Sequence, residues 1–137
     1  MSRRLIFPDR YLSGECNIGQ REIHVRKKFL SLFLPLVLLL TIINFFLPQS
    51  IFVWSSLLFT SFCSIVLYKE IRSRFCVIFG FFNLYNFKEL GNIEEAQKSQ
   101  DRMNDRKKVL QIVVGSLAVA LIYTASVHYI AVIFLDA

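Results

Sequence analysis

Two uncharged runs separated by three residues set the pattern of the chain. Phe29–Leu47 gives nineteen residues without a charge, Pro48, Gln49 and Ser50 follow, and Ile51–Tyr68 gives eighteen more. At ~1.5 Å rise per residue, each run makes a helix about 27–29 Å long, close to the thickness of bilayer hydrocarbon. A soluble domain has no room to bury so much apolar surface on both sides of so short a turn. The pattern therefore predicts a transmembrane helical hairpin over residues 29–68. A third run, Val109–Leu135, has twenty-seven residues and His128 as its only acidic or basic side chain. It exceeds what a bilayer needs, so it should tilt or leave its last turn outside.

Between hairpin and third run the polarity returns, with one interruption. Residues 75–87 (FCVIFGFFNLYNF) are thirteen uncharged positions, too short to cross and too apolar for water. They predict a short interfacial or re-entrant segment that places Phe79, Phe81, Phe82 and Tyr85 at the membrane surface. The alternation of bulky residues also leaves open a strand against a partner. Asn92 is placed to cap a helix, with Glu94 and Glu95 at its positive end, and no breaker follows before Gly115. A charged helix over 93–108 feeding into the third span is expected, about 65 Å in all. The expected class is an all-α membrane protein: three transmembrane helices, a hairpin plus a long third helix extending into the cytoplasm.

The polar positions inside the spans have a pattern of their own. Ser56, Thr60 and Ser64 repeat at i+4 on the second span; Ser116, Ala120, Thr124 and His128 do so on the third, with Gly115 alongside. Small faces of this kind let helix backbones approach closely, so these two rows are expected to pack together, with a second copy as a competitor for the same surface. Asn44 and His128 both fall near the far ends of their spans and are candidates for a polar contact between them. Pro35 removes one ladder hydrogen bond and predicts a bend in the first span.

Charge then orients the spans. The net charge is +6, and all sixteen Lys and Arg lie in residues 1–28 and 69–108. The positive-inside rule places the N-terminus in the cytoplasm and the C-terminus outside, in what is expected to be a bacterial inner membrane. The basic arm, residues 1–28, is interrupted by Pro8, Gly14 and Gly19 and is expected to be irregular until it meets a partner. Its uncleaved run is too long for a signal peptide and should serve as an anchor. Because nine acidic residues accompany the basic ones in these two segments, no nucleic-acid groove is expected.

No catalytic chemistry emerges from the motifs. Cys16, Cys63 and Cys76 lack CxxC spacing, Cys16 and His24 alone do not make a metal site, and neither a nucleophile elbow, a zinc helix nor a phosphate loop occurs. No cofactor, metal or enzymatic activity is expected. The expected partners are the lipid bilayer and a membrane protein complex, or self-association, as for an accessory or assembly subunit or a blocking protein of the immunity or exclusion type. An oligomeric channel, holin or small transporter is the alternative. Reporter fusions after residue 50 and after residue 137 should both report the outside; a cytoplasmic reporter at residue 137 contradicts three spans with this orientation.

Overall fold

The computed structural model describes residues 10–48, 50–87, 93–95 and 98–136. Its elements are α1 (Gln20–Phe46), α2 (Ile51–Ser73), α3 (Val77–Phe82), β1 (Leu84–Tyr85), β2 (Glu94–Glu95) and α4 (Ser99–Asp136). Three of these helices, α1, α2 and α4, are long and apolar enough to cross a membrane. The first begins nine residues ahead of its apolar run, so Arg26, Lys27 and Lys28 are helical, and it continues through Pro35 without interruption. Ser50 caps α2 by accepting from the Val53 amide, and Arg74, in the left-handed region at φ 53°, ends it by donating its amide to the Glu70 carbonyl.

The hairpin makes α1 and α2 antiparallel, and α4 returns alongside both. Thr41 Oγ1 and Tyr123 Oη lie 2.8 Å apart, and Phe45 meets the edge of Phe134, so α4 runs in the direction of α1. The distribution of polarity is inverted relative to a water-soluble bundle. Ser116, Ala120, Thr124 and Asn44 are fully buried, whereas Phe52 is 82% exposed and Leu32, Leu38 and Ile122 face outward. A soluble protein rarely exposes so much contiguous apolar surface. Small residues inside and large aliphatics outside are the arrangement expected when hydrocarbon surrounds the bundle.

The expected contact between α2 and α4 is present, with a shift of register on α2. Its buried face is Leu57, Thr60, Ser61 and Ser64, and Ser56 is exposed. A strict i+4 row drifts ~40° per step around a 100°-per-residue helix, so a contact stripe must mix steps of three and four. Thr60, Ser64 and Thr124 each donate to a carbonyl four residues earlier in their own helix. Their hydroxyls are thus satisfied locally, and the interface depends on close packing.

The segment between α2 and α4 departs furthest from expectation. No helix starts at residue 93: Glu94–Glu95 pairs antiparallel with Leu84–Tyr85, and α4 starts at Ser99. Among the described residues the fold is therefore mostly helical with one two-residue ladder, and α4, at 38 residues, is about 57 Å long. Helix propensity in the charged stretch yields to pairing that also stacks Tyr11 on Tyr85 and lets Tyr85 Oη donate to Glu94. The proposed Asn92 cap lies outside the described residues. Within 75–87, the chain forms the six-residue α3, turns through Asn83 at φ 61°, and continues as β1. Gly80 permits this seat, because a Cβ there would stand 2.5 Å from the Phe75 ring and 2.8 Å from Val109 Cγ2.

Ala120→Leu forces a larger side chain into a position with no exposed surface. It should destabilise the bundle by about 1–3 kcal/mol, measured by denaturation in mixed micelles, while Ile122→Leu on the outward face stays within about 0.5 kcal/mol.

Candidate functional site

The described basic residues gather at one end of the bundle, where the start of α1, the end of α2 and the first turns of α4 meet the N-terminal arm. This end is a built polar cap. Residues 10–19 form no helix or strand and fold back onto it: Cys16, Asn17, Ile18 and Gly19 are buried. Asn17 explains why. Its Oδ1 accepts from the Cys76 amide at 2.6 Å, its Nδ2 donates to the Cys76 carbonyl at 3.1 Å, and its backbone amide donates to the Arg74 carbonyl. One side chain thereby satisfies both backbone groups of the residue that opens α3.

A charged network lies beside it. Arg26 donates through Nε to Glu70 at 3.0 Å and through Nη1 to Glu22 at 2.8 Å, with its guanidinium 5.9 Å from the Phe79 ring centroid. The second Glu70 oxygen accepts from the Val77 amide at 2.7 Å. Asn86 donates to Glu22 through its side chain, donates to the Asn17 carbonyl through its amide, and accepts from the Gly19 amide. Further along the arm, the fully buried Asp105 accepts from Tyr11 Oη at 2.8 Å and from the Gly14 amide at 2.7 Å. Burial and the Asp105 carboxylate hold the Tyr11 hydroxyl above its ordinary pKa, so it stays a donor. Burial first, then the nearby Glu70 carboxylate, raise the Cys76 thiol, which keeps it protonated and poorly nucleophilic.

The four aromatics expected at an interface divide into two pairs. Phe79 turns inward against Ile18, Ile23 and Cys76, and Tyr85 stacks on Tyr11 at 4.6 Å. Phe81 and Phe82 point outward, each 60% exposed, with Ile78 beside them. Between α3 and the start of the apolar part of α4 they wall a groove of about 880 Å³, whose lining is apolar except for Arg106 and Asn83.

Of the predicted small-residue positions, Thr60, Ser64, Ser116, Ala120 and Thr124 are buried, Gly115 is partly buried near the end of Lys69, and Ser56 is exposed. Asn44 and His128 are not joined. Among the described residues, both polar atoms of the fully buried Asn44 amide, and His128 Nδ1, find no hydrogen-bond partner. His128 instead lines an open groove of about 750 Å³ with Trp54 and Tyr129 at the hairpin-turn end. Among the described residues no three His, Cys, Asp or Glu side chains are grouped to hold a metal ion, and the three cysteines are free.

Of the residues that build the cap, sequence reasoning assigns no role to Asn17, Glu22, Glu70 or Asp105. The Glu22–Arg26 pair carried a visible signal in its i,i+4 spacing. Glu70 carried a weaker one, as the only acid among the basic residues that close α2. Nothing local marks Asn17, whose side-chain partner Cys76 stands 59 residues away.

Comparison with known protein families, with characterised proteins and with solved structures gives no match to this chain.

Proposed function

We propose that this is a small multi-pass membrane protein that works without catalysis, by docking a partner membrane complex onto its basic end, as an accessory or assembly subunit or as a blocking protein of the immunity or exclusion type. In this reading the basic end is cytoplasmic, because the positive-inside rule retains Lys- and Arg-rich loops there, and the hairpin turn and C-terminus are outside. The carrying observation is the outward presentation of Ile78, Phe81 and Phe82 on a short helix whose opposite side is fixed by Phe75, Phe79 and the Arg26–Glu70 network. A rigid apolar anchor rimmed by charge is what a partner-binding patch needs, since ordering costs are met before binding.

The small-residue rows bear on the channel alternative. Ser116, Ala120 and Thr124 are buried against α1 and α2 within one chain, so an oligomeric pore would need some other lining. That observation favours a docking scaffold.

A photo-crosslinking amino acid at Phe82, compared in native membranes with the same group at the outward Leu39, tests the reading. The expected result is a discrete protein adduct at position 82 that Phe81→Ala reduces at least several-fold, with none at position 39. Lipid adducts alone at both positions contradict it.

A further inference from the structure

A second cleft at the basic end lies between the last turns of α2 and the N-terminal part of α4. Lys69, Arg72 and Ser73 form one wall, and Lys108, Gln111 and Ile112 the other, around about 330 Å³. Every charge on its walls is positive. The ion pairs among the described residues join Arg26 to Glu22 and Glu70, and Arg102 to Glu95, so none of them neutralises Lys69, Arg72 or Lys108.

The position of Lys69 sharpens the anomaly. A lysine at the end of an apolar helix ordinarily extends toward water. Here its ammonium lies against Gly115, 2.9 Å from where a Cβ would stand. Gly115 is seven residues beyond Lys108 on α4, roughly 10 Å further into the apolar part of the helix. The missing side chain at Gly115 makes room for that ammonium. A cation resting against Gly115, with Arg72 and Lys108 on the walls of the same cleft and the buried Ile112 in its lining, is arranged to receive an anion where charge gives way to hydrocarbon.

We propose that this cleft binds the phosphate of an anionic glycerophospholipid between Lys69, Arg72 and Lys108. The cations meet the phosphate oxygens, Gln111 offers an amide donor at the rim, and the acyl chains continue along the apolar surface of the helices. Basic pockets between helices at a membrane surface recognise lipid headgroups in this way. The Ser73 hydroxyl is not part of the headgroup contact, because it donates to the Lys69 carbonyl at 2.7 Å. This site is independent of whatever binds at Phe81 and Phe82.

The test uses the full chain in detergent, with native mass spectrometry reading retention of added phosphatidylglycerol against phosphatidylcholine. Wild type should retain phosphatidylglycerol selectively. Lys69→Gln/Arg72→Gln/Lys108→Gln should weaken that retention by about tenfold or more. Lys27→Gln/Lys28→Gln/Lys107→Gln, with the same change in net charge, should alter it less than about twofold. Lys69→Arg/Lys108→Arg, which keeps the charges, should retain the lipid and guards against a loss caused by misfolding. Equal retention of phosphatidylcholine, equal losses in the two glutamine triples, or displacement of the lipid by inorganic phosphate at matched concentration would each overturn the proposal.

Discussion

Glu70 accepts hydrogen bonds from two separate elements, the Arg26 guanidinium on α1 and the Val77 amide that opens α3, while its own carbonyl receives the amides of Arg74 and Phe75. A carboxylate with so little exposed surface is costly unless its charge and lone pairs are matched, and here both oxygens are engaged. The consequence is geometric. The end of α2, the start of α1 and the corner leading to α3 share one anchor, and the N-terminal arm and β1 then dock on that corner through Asn17 and Asn86. Without the Arg26–Glu70 contact, α3 would lose the support that turns Phe81 and Phe82 outward.

The bundle beneath the cap is held by a different kind of force. Its interior mixes Leu57, Ile112 and Val127 with Ser, Thr, Ala and Asn, and the hydroxyls of Thr60, Ser64 and Thr124 are returned to their own helices, so close packing carries the contact between α2 and α4. The two regions divide the work by environment. Shape holds the apolar section, and charge with directed hydrogen bonds holds the polar end, where arm, hairpin and α4 must be fixed in one arrangement.

Residues with local signatures were legible from the sequence. The uncharged runs around Pro48 announced the hairpin, and the Ser116–Ala120–Thr124 row announced the buried face of α4, because both depend on spacing along one helix. Ser56 was misplaced because an i+4 row drifts around the helix, and only the partner helix decides where the contact stripe crosses it. Residues 93–95 depart from the expected helix because their local helix propensity competes with the ladder to Leu84–Tyr85, a pairing that exists only once the corner is folded. Asn17 and Asp105 were passed over for a related reason. Each acts on a backbone or hydroxyl group far along the chain, and composition does not encode those distances.

The dependence of the cap on Glu70 is tested most directly by a double-mutant cycle between Arg26→Gln and Glu70→Gln, read by denaturation of the full chain in mixed micelles. Each single change leaves the other partner poorly matched in a buried site. The cycle should therefore show a coupling above about 1 kcal/mol, within the range for residues sharing one network. Losses that simply add, to within about 0.5 kcal/mol, would mean that the Arg26–Glu70 contact does not hold the cap to the hairpin.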